Sequence, residues 1–221
     1  MDANKSHFYS MKKSQSPGAW MLVLLALFGS FAGQLSAAEP RTIVFFGDSL
    51  TAGSGLDPDE AYPALIQKKL DETGRPWRVV NAGLSGETTA GGLRRLDWIL
   101  RQPVDIFVIE LGGNDGLRGI PPELSRSNLQ TMIERIRARH PRVTIVLAGM
   151  QMPANMGPDY TRLFAAMYPE LAEKNHAVLI PFLLEGVGGV ASLNQADGIH
   201  PTAAGHEIVA DTVWRTLQPL L

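Results

Sequence analysis

Thr42-Ile43-Val44-Phe45-Phe46-Gly47-Asp48-Ser49-Leu50 is the stretch on which the reading of this chain turns. Its first five residues are β-branched or aromatic, without alternation of apolar and polar positions. That is the pattern of a strand buried on both faces, as in a sheet covered by helices. Gly47 and Asp48 break the run and leave Ser49 where the chain turns outward. A hydroxyl at that place stands at the carboxyl edge of a sheet, where open α/β folds bind ligands. Taken alone, such a serine reads more readily as a helix cap than as a nucleophile; the rest of the chain reverses that preference.

Outward from this strand, strand-like and helix-like segments alternate to the end of the chain. Tyr62, Leu65, Ile66 and Leu70 lie at helical spacing, with Gly74 placed as the terminator. Trp77-Arg78-Val79-Val80 reads as a second strand closed by Asn81-Ala82-Gly83, and a helix through Leu93, Leu96 and Ile99 ends before Pro103. Residues 105–111 predict a third strand running into Gly112-Gly113-Asn114-Asp115, and residues 143–148 a fourth. Leu129, Met132, Ile133 and Ile136 mark the helix between them. Tyr160, Leu163, Phe164, Met167 and Leu171 predict a further amphipathic face, Ala177-Val178-Leu179-Ile180 a fifth strand, and Val209, Val213 and Leu217 a last helix from about Ala203. Five strands joined by crossover helices imply an α/β fold of three layers: a doubly wound, five-stranded parallel sheet with helices on both faces.

Two organisational readings follow from composition. Lys12-Lys13, the apolar residues 20–28 and Ser36-Ala37-Ala38 stand in the order of a secretory signal peptide, so residues 1–38 are expected to be a cleaved leader and residues 39–221 the domain. Met11 serves equally well as the start. The apolar run is short for a membrane span, which needs roughly 20 residues. A periplasmic or secreted protein without stable membrane insertion is therefore expected. The chain has no cysteine, so stability after export rests on core packing and not on disulfides. The formal charge is −2, and removing Asp2, Lys5, Lys12 and Lys13 takes away a net +2, leaving −4. With no Lys/Arg block, nothing argues for nucleic acid. A monomer is expected.

The residues of chemical interest all fall just after strands: Ser49, Gly83, Asn114, and Asp197-Gly198-Ile199-His200 before the last helix. Parallel strands put their carboxyl ends on one side, so these turns should converge. Gly47-Asp48-Ser49-Leu50, Asn81-Ala82-Gly83, Gly112-Gly113-Asn114-Asp115 and Asp197-Gly198-Ile199-His200 resemble, in order, the sequence blocks of the GDSL or SGNH hydrolase family. Residues 110–119 and Leu217-Gln218-Pro219-Leu220 are similar, more closely, to the exported bacterial multifunctional thioesterases and lysophospholipases of that family.

That resemblance implies a flavodoxin-like fold and a serine esterase. A serine hydroxyl needs an adjacent base. His200 supplies one, and Asp197 can hold its other ring nitrogen. The family pattern implies an oxyanion hole of Ser49 N–H, Gly83 N–H and the Asn114 side-chain amide. At position 83 a side chain is expected to crowd the substrate carbonyl. Leu111, Met152 and Pro153 are the expected substrate contacts, with Leu117, Ile120, Met150 and Met156 as further apolar candidates on the surrounding loops. Substrates are expected to be acyl esters or thioesters, including lysophospholipids and aryl esters. A carbohydrate acetyl esterase and a catalytically dead lipid-binding module are the alternatives.

No cofactor is expected. Asp197 and His200 alone fall short of a zinc ligand set. Residues 186–191 fit a Gly-x-Gly-x-x-Ala pattern but lack the strand that a dinucleotide site requires. Asp48 and Asp115 are expected to serve as turn and hydrogen-bonding residues. His140, His176 and His206 are expected to be structural or solvated. Ser85 lacks the second glycine of a nucleophile elbow.

Overall fold

The apolar run around Phe45 forms β1 (Arg41–Gly47). In the computed structural model, which describes residues 40–221, Ile43, Val44, Phe45 and Phe46 are fully buried. The leader expected over residues 1–38 lies outside the described residues. Each such side chain contributes about 1.5–3 kcal/mol by leaving water, which makes this strand the centre of the core. It is flanked by β2 (Trp77–Gly83) and β3 (Ile106–Glu110), and β4 (Thr144–Ala148) and β5 (Val178–Ile180) extend the sheet past β3. All pairings are parallel, in the order β2-β1-β3-β4-β5, as the alternation of segments predicts.

The connecting helices start and stop on local chemistry. After β1 comes the short α1 (Ser49–Ala52), then α2 (Tyr62–Glu72), which carries a proline in its first turn and ends at Thr73 before Gly74 at φ +67°. Thr88 caps α3 (Thr89–Ile99) by accepting from the Gly91 N–H, and β3 leads into α4 (Gly113–Leu117) and α5 (Pro122–Arg139). The fourth and fifth strands are joined by α6 (Pro158–Lys174), and Thr202 caps α7 (Ala203–Leu217). Helices α1 and α4 have four and five residues, too few for a periodic pattern to announce them. In α6, Phe164, Met167 and Leu171 are buried as predicted, but Leu163 is 42% exposed because it lies at the edge of the apolar stripe. No described helix is long and apolar enough to cross a membrane.

Right-handed crossovers place α2 on one face and α3, α5 and α6 on the other, because the chain moves in opposite directions from β1 to β2 and from β2 to β3. The packing agrees: α2 lies against α7, while α3 contacts α5 and α5 contacts α6. The reversal of direction at β1 and β3 is the topological switch point, where open sheets leave a crevice. Gly47 is level with Gly83 on one side and with Glu110 on the other. That register brings the turns after the three strands to the same height.

Candidate active site

Ser49 is the first residue of α1, and the cap is its neighbour: Asp48 Oδ1 accepts from the Leu50 N–H at 3.0 Å. The role of cap that suits an isolated serine is thus taken by the aspartate, leaving Ser49 Oγ available. It lies 2.8 Å from His200 Nε2, across 151 positions of sequence. His200 Nδ1 in turn lies 2.6 Å from Asp197 Oδ2, while Asp197 Oδ1 accepts the Ile199 and His200 N–H groups at 2.9 and 3.1 Å. The His200 side chain, followed by these two backbone donors, holds the Asp197 carboxyl well below the usual carboxylate range. An ionised Asp197 can only accept, so Nδ1 carries the proton and Nε2 accepts from the serine hydroxyl.

The segment carrying Asp197 and His200 is a small closed loop. Asn194 bridges Pro201, the Gln195 N–H donates to His200 O at 2.7 Å, and Gly198 at φ +70° makes the tight turn. Glycine is needed there because L side chains rarely adopt that backbone conformation. The Asn194 side chain donates to Val187 O and Val190 O, which binds the loop to the glycine-rich turn of residues 186–190.

Beneath the serine lie two buried carboxyls. Asp48 is 1% exposed and accepts from Asn114 Nδ2 at 3.0 Å. Glu110 is fully buried, and its Oε2 accepts from the Asp48 N–H and from Thr51 Oγ. Burial raises both carboxyls, and for Glu110 the nearby Asp48 charge raises it further, well above the ordinary carboxylate value. Asp115 is also buried, accepting from the Thr89 N–H, Thr89 Oγ and Ser125 Oγ, so it ties α3, α4 and α5 together.

The expected site residues divide. Ser49, Asn114, His200, Met152 and Pro153 line one groove of about 530 Å³, together with Leu117 and Met150. Asp197 stands behind His200. Leu111 does not reach the groove: it is fully buried, its side chain packs where Gly92 leaves room on α3, and its carbonyl accepts from Tyr168 OH. The apolar run of β3 continues through it into the core. Ile120 and Met156 are likewise not among the groove's walls.

Gly83 also departs from expectation. Its N–H donates to Asn81 Oδ1 at 2.9 Å, and a Cβ there would lie 2.2 Å from the Ala52 nitrogen. Glycine is required at 83 by the close approach of α1's backbone, not by a substrate carbonyl. Three residues on, Gly86 has φ +79° and an N–H with no acceptor among the described residues. The Leu84 N–H, which donates to Gly47 O, keeps this loop against the end of β1.

Four contributors were not visible in the motifs. Phe182 and Leu184 line the groove from just beyond β5, and the rule that placed the other site residues after strands would have found them. Arg95 donates to Gly47 O at 3.2 Å and to Ala82 O at 2.9 Å, pairs with Glu87 and lies over the Phe46 ring, joining the ends of β1 and β2. Nothing in its helical spacing signals this. His206 is buried and stacked on Tyr62, and its Nδ1 accepts the Tyr62 N–H. Among the described residues, no three His, Asp or Glu side chains converge on a point that could hold a metal ion.

Residues 45–208 match the GDSL-like lipase/acylhydrolase family. The chain belongs to that family. It is 46% identical over 185 residues to Esterase TesA of Pseudomonas aeruginosa, with 83% of this chain and 91% of that protein aligned. It is 38% identical over 186 residues to the thioesterase 1/protease 1/lysophospholipase L1 of Escherichia coli K12, with 84% and 87% covered. The crystal structure of TesA superposes with a TM-score of 0.78, over 82% of this chain and all of that one. A psychrotrophic Pseudoalteromonas esterase, solved inhibited by monoethylphosphonate, superposes at 0.76 with 32% identity, over 81% of this chain and 98% of that one. As a GDSL-like acylhydrolase the chain is an enzyme of the carboxylic ester hydrolase class.

Proposed function

We propose that this enzyme cleaves acyl esters through an acyl-enzyme on Ser49. The observation that carries the reading is the run of hydrogen bonds from Ser49 Oγ through His200 to Asp197, standing at the wall of an apolar groove. Ser49 Oγ attacks the carbonyl carbon as its proton passes to His200 Nε2. Asp197, ionised, stabilises the imidazolium and keeps the ring in the productive tautomer. The imidazolium then gives its proton to the departing alcohol or thiol. Water, activated by the same ring, releases the acid and restores Ser49.

The oxyanion of the tetrahedral intermediate needs fixed donors. We assign the Ser49 N–H and the second hydrogen of Asn114 Nδ2, whose first hydrogen is held by Asp48. The Gly86 N–H takes the place first given to Gly83, since it lies in the turn that Gly83 opens and lacks an acceptor among the described residues.

The walls of Leu117, Met150, Met152, Phe182, Leu184 and Ile199 favour an acyl chain over an acetyl group. Esters and thioesters with medium or longer chains, lysophospholipids and aryl esters among them, are the proposed substrates. A carbohydrate acetyl esterase would have little use for six apolar walls. The relatives named for esterase and lysophospholipase activity support the same choice. Export through the leader at residues 1–38 completes the proposal and makes lipid esters the natural substrates. Cell fractionation, with the mature amino terminus determined by mass spectrometry, tests that part.

The activity is tested with p-nitrophenyl esters across chain lengths, using wild type and Ser49→Ala. A medium-chain optimum that vanishes in Ser49→Ala is expected. An acetyl-only profile points to the deacetylase, no turnover by wild type to a lipid-binding module, and turnover by Ser49→Ala overturns the assignment of the nucleophile.

A further inference from the structure

We infer that Gln195 is a positioning residue, whose carboxamide ties the loop bearing Asp197 and His200 to the turn that follows Ser49. The inference rests on the acyl-enzyme reading above. Gln195 Nε2 donates to Ser54 O at 2.8 Å and to Pro201 O at 3.0 Å. Both acceptors are carbonyls, so the NH₂ end of the amide must face them, and its two hydrogens are fully used. Ser54 is itself held to the nucleophile: its N–H donates to Ser49 O at 3.0 Å. The connection therefore runs from the Ser49 backbone through Ser54 to the Gln195 side chain, and through the Gln195 N–H to His200 O.

The backbone has been shaped to admit this amide. A Cβ at Gly55 would come within 2.3 Å of Gln195 Oε1, and Gly55 adopts φ +83°. Elsewhere the loop is bonded largely to itself and to residues 187–190. Apart from the Ser49–His200 bond, the Gln195 amide is its hydrogen bond to the α1 side among the described residues. Chain separations of 151 and 141 residues are thus bridged at two points, the first reactive and the second not.

The consequence concerns the second task of the imidazole. After taking the serine proton, the ring must deliver it to the leaving oxygen, and its position must hold while the serine bond is being rearranged. A p-nitrophenolate needs little protonation to depart, whereas an alkoxide needs it fully. A misplacement of about 1 Å costs on the order of 10²-fold, and here it falls mainly on the reaction that depends on delivered acid.

The test compares Gln195→Glu, which keeps the shape but has no hydrogen to donate, and Gln195→Met, which keeps only the length. Each is assayed by kcat/KM on an alkyl ester and a p-nitrophenyl ester of the same acyl chain, with circular dichroism and thermal melting to verify folding. We expect kcat/KM on the alkyl ester to fall about 10- to 100-fold, and at least five times less on the p-nitrophenyl ester. If Gln195→Glu does not fold, Gln195→Met carries the test. Equal losses on both esters reveal a merely structural role and overturn the inference, as does no loss at all. Ser49→Ala is run alongside: its inactivity preserves the acyl-enzyme reading whatever the Gln195 variants do, and its activity removes that reading separately.

Discussion

The Asp48 N–H donates to Glu110 Oε2 at 3.2 Å, so two buried carboxyl groups occupy one pocket beside Ser49. Two such groups do not both ionise in a dry site. Glu110 is the better buried, and its Oε1 has no hydrogen-bond partner among the described residues, which a charged oxygen would tolerate poorly. We therefore expect Glu110 to be neutral. Glutamine copies a neutral carboxylic acid, so Glu110→Gln should cost less than about 1 kcal/mol in urea unfolding. Glu110→Ala leaves a cavity and strands the Asp48 N–H, at about 2–4 kcal/mol. Equal losses in the two variants would mean that the glutamate is charged.

Asn114 and Gly83 should respond in opposite ways. Removing the amide in Asn114→Ala should lower kcat by about 10²–10³, with little change in KM, because the proposed donor would act on charge formed in the transition state. Gly83→Ala should instead lower the melting temperature, since its methyl group meets the α1 backbone at Ala52. Steady-state kinetics and thermal melting on both proteins separate the two roles.

Replacing Asp197 by asparagine removes the acceptor that holds the Nδ1 proton of His200. The ring is then free to present a protonated Nε2 to Ser49, and kcat should fall by about 10³–10⁴. Because Asp197 in the wild type stays ionised below the usual carboxylate range, its own titration should leave no acid limb in the activity profile near pH 4–5. An inflection near pH 4–5 that disappears in Asp197→Asn would contradict this.

Burial, assisted by the nearby His200 charge, pushes His206 down to about 4. An unfolded histidine titrates near 6.5, so between these values the unfolded chain binds more protons. Stability is full above pH 6.5 and declines as the pH falls toward 4, by an amount on the order of 2 kcal/mol. His206→Asn keeps an acceptor for the Tyr62 N–H but cannot titrate. Its unfolding free energy should therefore be flatter than the wild type's between pH 6.5 and 4, and parallel curves would refute the assignment.

Residues with a local reason for their place were readable in the chain. Ile43 to Phe46 had to be buried because nothing in the run is polar, and Gly47-Asp48-Ser49 had to turn because the strand breaks there. Asn114 and His200 were legible for the same reason, each lying in a polar turn after an apolar strand. Leu111 was misread: one residue decides whether a side chain at a strand end faces the groove or the core, and only the packing of α3 at Gly92 settles it. Gly83 was misread because the backbone that crowds it belongs to another element. Leu163 shows the same limit at the edge of a helical stripe.

The linear pattern by itself determined the layers, the parallel sheet and the family, since apolar periodicity and turn chemistry act over a few residues. Which atoms meet was decided only in three dimensions. The 2.8 Å contact between Ser49 and His200, the Gln195 tether, the clamp of Arg95 on Gly47 and the floor of carboxyls all join segments tens to more than a hundred residues apart. Such contacts depend on strand register and on helix faces packing at one height, and short-range preferences carry no record of either.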